Sequence, residues 1–114
     1  MHPKAAASEA DVVMLDLEDS VPLDAKEAAR QQVIGSLQAI GWGSKTVTVR
    51  INGLDTAYGY RDLLEVAEAA GDRLTSIVIP KVDHPRDIHF AARLLDGIEL
   101  HCGRQHPLGL EASI

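Results

Sequence analysis

Val12-Val13-Met14-Leu15-Asp16-Leu17-Glu18-Asp19 decides how the rest of the chain is read. An apolar run suited to a buried strand ends there in three carboxylates within four positions. A surface loop would dilute such charges in water, whereas the end of a strand in an α/β protein is where ligands sit. Taken alone, the cluster reads as a metal or cation site.

Working outward, similar apolar runs recur at Thr46 to Ile51, Ser76 to Val82 and Leu108 to Ile114, which with Val12 to Leu17 make four. A helix-like stretch separates each pair, so the order is β-α-β-α-β-α-β. The runs are β-branched and apolar on both faces, which predicts parallel strands covered on both sides. The first helix is expected from Pro22 or Leu23 to Ile40, with Ala25, Ala28, Ala29, Val33, Leu37 and Ile40 inward and Lys26, Glu27, Arg30 and Gln31 outward. The second, about Tyr60 to Ala70, carries Leu63, Leu64, Val66 and Ala67 and should stop at Gly71 as a left-handed cap. Asp83-His84-Pro85 predicts a third helix start, with a capping carboxylate and an early-turn proline, and Ile88, Ala91, Ala92 and Leu95 as its buried side. Segment His101 to Pro107 reads as a polar connector. A repeat interval of roughly thirty residues is close to one eighth of a TIM barrel of about 250 residues. The expected fold is therefore α/β: a partial TIM (β/α)8 barrel of about four βα units with parallel strands, one domain over residues 1–114.

Composition narrows the function. The 114 residues are 46% hydrophobic and carry a formal charge of −6, and no basic patch suggests nucleic acid as a partner. Cys102 is the lone cysteine. It excludes an intrachain disulfide, is too sparse with His101 and His106 for zinc, and suits a reducing cytoplasm. Met1 to Ser8 lacks a secretory layout, and no apolar run approaches the roughly 20 residues of a membrane span. The five histidines, His2, His84, His89, His101 and His106, lack ligand spacing and read as surface or loop residues. Trp42, after the first helix, reads as packing at the lower end of the barrel.

Chemistry gathers at the strand ends. Strand one finishes in Asp16, Glu18 and Asp19, strand two in Arg50 and Asn52, strand three in Pro80-Lys81. Side-chain alternation puts Asp16 and Glu18 on one face and Asp19 on the other, so all three acids cannot be inward ligands. Mg²⁺ takes few carboxylates directly, so some acids would only hold its water. The plainer reading has one acid capping the next helix or pairing with Lys81. Arg50, inside a buried strand, needs an anion, and its planar fork suits a substrate carboxylate; a salt bridge to Asp16 or Glu18 is the alternative. Lys81 as a Schiff-base nucleophile would require a depressed pKa, and an ion pair with the acidic rim is the reading preferred.

Four ordered motifs carry a family resemblance: Leu15-Asp16-Leu17-Glu18-Asp19-Ser20-Val21, Lys26-Glu27-Ala28-Ala29-Arg30, Val49-Arg50-Ile51-Asn52-Gly53-Leu54-Asp55-Thr56 and Ile79-Pro80-Lys81-Val82. Over nearly its whole length the chain resembles the citrate lyase beta subunit and malyl-CoA lyase family, of the HpcH/HpaI aldolase type. Ile40-Gly41-Trp42-Gly43-Ser44-Lys45-Thr46 and the Asn52 to Thr56 turn look closest to its malyl-CoA/β-methylmalyl-CoA lyase branch. The resemblance implies a TIM barrel that uses Mg²⁺ to cleave a carbon–carbon bond in a hydroxyacyl-CoA thioester, of malyl-CoA or citryl-CoA type, releasing acetyl-CoA and a 2-oxo acid such as glyoxylate. It matches Arg50 to the arginine that binds the oxo-acid carboxylate. Glu18 and Asp19 match outer-shell acids that contact the metal's waters, with Asp16, Asn52 and Lys81 in support.

On the same resemblance the chain holds family strands two to five. The first strand, with its Arg-Ser and Pro-Gly residues near the CoA site, has no counterpart before Met1, and the segment Leu108 to Ile114 stops one residue short of the metal-binding glutamate. Glu111 lies four positions earlier, roughly 13 Å along a strand, and is not expected to substitute. The direct metal ligands and the C-terminal half are thus expected to be missing, making this a truncated homologue with little or no lyase activity and weak or absent Mg²⁺ binding alone. Two other readings stay open: a Schiff-base aldolase using Lys81, and a non-catalytic half-barrel that self-associates as a homo-oligomer through its exposed sheet edges.

Overall fold

The computed structural model describes residues 2–104 and 107–113. A short helix α1 (His2–Ala7) packs Ala5 and Ala6 against the core and leads into β1 (Val12–Asp16). A 3-10 turn at Leu23–Ala25 precedes α2 (Lys26–Ala39), which is followed by β2 (Thr46–Arg50) and α3 (Gly59–Ala70). A second 3-10 turn, Gly71–Arg73, leads to β3 (Ser76–Ile79), α4 (Pro85–Cys102) and β4 (Gly109–Ala112). All strand pairs are parallel, in the order β1-β2-β3-β4. The expected α/β architecture of βα units with parallel strands is therefore observed. An order without reversal is that of a barrel segment rather than of a doubly wound sheet.

The sheet has two unlike faces. Helix α2 packs on α3 and α3 on α4, and beneath this layer Val13, Leu15, Val47, Val49, Ile77 and Ile79 are buried as alternate strand residues. Position 14 of β1 lies in register with Thr48, and Thr48 with Ser76, on the other face. Here Val12 is 61% and Met14 48% exposed. The three long helices thus cover one face, while on the other Thr48 and Ser76 are buried and the expected cover is not seen over Val12 and Met14 of β1.

Three helix details also differ. Lys26 and Arg30, expected on the outer face of α2, are buried, and Ala28, expected inward, is exposed. Gly71 continues into a right-handed 3-10 turn instead of capping α3 in a left-handed conformation. Helix α4 is capped by the His84 ring, whose Nδ1 accepts the Arg86 N–H at 3.1 Å, rather than by Asp83, with Pro85 in its first turn. It runs on through His101 to Cys102 and ends at Gly103, at φ 65°, a left-handed conformation that a residue without a Cβ adopts at little cost. His2, expected at the surface, is half-buried with Nδ1 2.5 Å from Ser36 Oγ; His106 and Ile114 lie outside the described residues. Trp42 is buried where α2 turns into β2, donating its indole N–H to Ser36 O at 3.2 Å.

Candidate functional site

Parallel register brings all four strand ends to one rim, and one row crosses the sheet: Asp16 beside Arg50, Arg50 beside Val78, Val78 beside Glu111. Within it, Arg50 donates from Nε to Asp16 Oδ1 at 2.8 Å and from Nη2 to Asp16 Oδ2 at 2.6 Å. The salt bridge to Asp16 is therefore formed. Asp16 also accepts the backbone N–H groups of Glu18 at 2.9 Å and Ser20 at 3.2 Å, so its two oxygens are fully engaged. These donors, the Arg50 guanidinium first, hold its carboxyl far below the usual carboxylate range, and Asp16 in turn raises Arg50.

Binding Asp16 uses only one edge of the guanidinium. The Nη1 group makes no hydrogen bond or ion pair among the described residues. With the second Nη2 proton it forms a further fork of the geometry that grips a carboxylate. Arg50 can thus be oriented by Asp16 and still present two donors to an anion.

Glu18 is 8% exposed and stands between two cations. Its Oε2 lies 3.0 Å from Lys81 Nζ and its Oε1 3.7 Å from Arg50 Nε. Lys81 reaches it from a backbone at φ 54°, a left-handed conformation that a side chain disfavours and that often marks functional positions. The hydrogen bond to Glu18 raises the Lys81 pKa above its ordinary value, the opposite of what an amine nucleophile requires. Asp19 is exposed, makes no hydrogen bond or ion pair among the described residues, and adds its field to that at Arg50 and Lys81. A cleft of about 570 Å³ opens beside Lys81, lined among others by Asp55, Pro80, Arg86 and Phe90. Glu111, the last member of the Arg50 row, accepts the hydroxyl of Ser76 at 2.5 Å, Ser76 lying one step down the same sheet face.

Beneath the rim lie residues that sequence patterning placed on the outside of α2. Lys26, 7% exposed, donates from Nζ to Leu17 O at 3.0 Å and Glu18 O at 2.6 Å. Arg30, 5% exposed, donates from Nε to Asp62 Oδ1 at 2.8 Å and from Nη1 to Glu65 at 2.9 Å. Asp62 in α3 is 1% exposed, and its Oδ2 accepts both the Asn52 backbone N–H at 2.9 Å and its side-chain amide at 2.6 Å. Asn52 thus supports the rim from inside. The missed signal was the i, i+4 spacing of Lys26 and Arg30, which puts both cations on one face of α2, and the acid in the first turn of α3.

Among the described residues, no group of three or more His, Cys, Asp or Glu side chains is placed to hold a metal ion. Within the acid run Asp16 is engaged by four donors and Glu18 stands between two cations. Asp19 alone is open, so Mg²⁺, which is usually bound through one or two carboxylates and keeps several waters, would find at most one direct ligand in this acid run.

Residues 1–112 match the family model of HpcH/HpaI aldolase/citrate lyase. The L-malyl-CoA/beta-methylmalyl-CoA lyase of Cereibacter sphaeroides is 49% identical over 114 residues, all of this chain and 36% of that protein. The malyl-CoA/beta-methylmalyl-CoA/citramalyl-CoA lyase of Chloroflexus aurantiacus is 38% identical over 106 residues, 93% of this chain and 30% of its own length. Among solved structures, the Haloferax volcanii malate synthase in its pyruvate/acetyl-CoA ternary complex superposes with a TM-score of 0.83 at 18% identity, covering 98% of this chain and 34% of that one. The chain thus spans about a third of the length of the curated relatives it matches. With four parallel strands in barrel order, an Asp16–Arg50 rim, and a match to all but its last two residues, the chain belongs to the HpcH/HpaI aldolase/citrate lyase family.

Proposed function

We propose that this chain carries the 2-oxo-acid-binding part of a Mg²⁺-dependent carbon–carbon lyase site acting on a hydroxyacyl-CoA thioester of malyl-CoA type. The observation that supports the reading most is the Arg50 guanidinium, oriented through one edge by Asp16 with its other edge open at the strand-end rim, in a chain so similar to malyl-CoA lyases. The open fork takes the carboxylate of the oxo acid. Asp16 keeps the guanidinium planar to it, and its own low pKa keeps the pair charged throughout the physiological range. When bound, Mg²⁺ supplies polarisation of the 2-oxo oxygen. Glu18 and Asp19 would contact its waters, and its direct ligands would be other residues. The reading therefore expects the 114-residue chain to turn over little malyl-CoA unaided.

Two measurements test this. Titration with glyoxylate, with and without Mg²⁺, should give binding that Arg50→Lys weakens at least about tenfold, since Lys cannot hold Asp16 and a carboxylate in two parallel forks; unchanged binding by the variant overturns the assignment. A coupled assay of acetyl-CoA release from malyl-CoA should show only trace, and robust chelator-sensitive turnover overturns the incompleteness of the site. Borohydride with a 2-oxo acid should trap nothing at Lys81.

A second reading is favoured by the open sheet face: exposed Val12 and Met14, and strand edges at β1 and β4, suit pairing with another polypeptide. Light scattering after size exclusion tests it, and a monomer at high concentration argues against it.

A further inference from the structure

We propose that Lys26 is a positioning residue of the strand-end site: its buried ammonium anchors the backbone of Leu17 and Glu18, and so keeps the Glu18 carboxylate between Arg50 and Lys81. The inference rests on the reading of that rim as a 2-oxo-acid site, and it adds a residue outside the acid and arginine cluster. The last ladder contact of β1 is Leu17 N–H to Arg50 O at 2.8 Å. Beyond it the chain leaves the sheet, and the peptides that carry Glu18 need other partners. Glu18 O receives the Val21 N–H at 3.2 Å within its own turn. The Lys26 ammonium reaches the same oxygen at 2.6 Å and Leu17 O at 3.0 Å from a separate element.

The chemistry is unusual for a buried lysine. Among the described residues Lys26 makes no ion pair, so its charge is met by carbonyl dipoles alone. Burying an ammonium without a carboxylate is costly, and the cost is offset only if both carbonyls stay in place. That requirement works in the other direction too, fixing the carbonyls and therefore the direction in which Glu18 leaves the backbone. Lys26 sits in the first turn of α2, so a rigid helix transmits the position. A misplacement of about 1 Å at an orienting group can cost on the order of 100-fold in a well-aligned site.

The test uses the full chain. In Lys26→Met the apolar stem stays and the donors go; glyoxylate binding should weaken at least about tenfold, and the Arg50 Nε–Hε resonance should shift as Glu18 moves. Lys26→Arg, which retains donors for two carbonyls, should restore both. Ile98→Val, a core change in the last turns of α4, should lower stability and leave both readouts alone. A Lys26→Met chain that folds, binds as wild type and keeps the Arg50 resonance overturns the proposal. Should Lys26→Met not fold, the wild-type chain decides: the Lys26 ammonium protons should exchange with water far more slowly than those of Lys4, and equal exchange overturns the proposal. If wild type fails to bind glyoxylate, or Arg50→Lys binds unchanged, the 2-oxo-acid reading falls while the resonance still judges Lys26. It then shifts in Lys26→Met and returns in Lys26→Arg, or the positioning role is wrong.

Discussion

Replacing Asp62 by alanine should destabilise the protein far more than removal of one acid normally does, because three buried donors converge on its two oxygens. Arg30 Nε at 2.8 Å, Asn52 N–H at 2.9 Å and Asn52 Nδ2 at 2.6 Å would all lose their acceptor. Each neutral donor left buried without a partner costs about 1–3 kcal/mol, and a buried charge stripped of its partner about 3–5 kcal/mol. Arg30 is not wholly orphaned, since Glu65 still accepts from Nη1 at 2.9 Å, so the charge contribution belongs near or below its lower limit. Allowing for relaxation and shared effects, a loss of about 4 kcal/mol is expected. A chain of 114 residues has on the order of 6–17 kcal/mol in total, so the variant should fold but with little margin. Urea unfolding of wild type, Asp62→Ala, Arg30→Met and the double variant measures the loss and its coupling. The double variant should cost less than the two single losses added together, by at least about 1.5 kcal/mol, because removing Arg30 relieves the charge that Asp62→Ala strands. An Asp62→Ala loss under about 1 kcal/mol, or additivity within about 0.5 kcal/mol, would refute the network as drawn.

Three further outcomes follow from the same geometry. Gly59→Ala opens α3 with a better helix former by about 1 kcal/mol, yet an added Cβ would collide with Gly53 O and lie 2.9 Å from Asn52 O. A net loss of roughly 1–2 kcal/mol in urea unfolding is expected, the clash outweighing the propensity gain, and a gain would sink the packing after β2. Lys81→Gly should unfold at a higher urea midpoint than Lys81→Ala, since both lose the ammonium and only glycine accepts φ 54° freely; equal midpoints would mean that the backbone there is not strained. Because hydrogen bonds from Arg50 depress Asp16 in the folded state, its stabilisation is full above the unfolded value of about 3.9 and is lost as pH falls toward the lower folded value. The stability gap between wild type and Asp16→Asn should therefore stay level from pH 8 to 5 and narrow below about pH 4, and a gap that widens on acidification contradicts the sign.

How much of this was legible in the sequence depends on what each element presents to water. The strands were readable because Val13-Leu15, Val47-Val49 and Ile77-Ile79 must be buried whatever lies on the other face, and β-branched runs bounded by helical stretches leave few alternatives. Exposure on the second face was not readable, since Val12 and Met14 look like core residues and only the assembled layers reveal that both are largely exposed. The His84 cap was hidden behind a better capping residue one position earlier, Asp83, because the position of Pro85 in the first turn, not side-chain preference, sets which residue caps. Gly103 did carry a signal, a left-handed stop, that would have extended α4 through His101.

The site divides along the same line. Asp16, Glu18, Arg50 and Lys81 were legible as a group because parallel strands end at a common rim, and charges at three successive strand ends must meet there. Their supports were not, because sorting α2 by polarity sends every lysine and arginine outward. That rule fails where a helix crosses strand exits, since each exit leaves carbonyls or an amide without ladder partners, and a long side chain from the helix is the nearest group able to reach them. Lys26 meets the exit of β1, and Arg30 through Asp62 meets the exit of β2, one helical turn apart. Two cations at i and i+4 on a helix that follows one strand and precedes the next are thus a pattern with a structural meaning of its own, readable wherever an apolar inward face would otherwise be continuous.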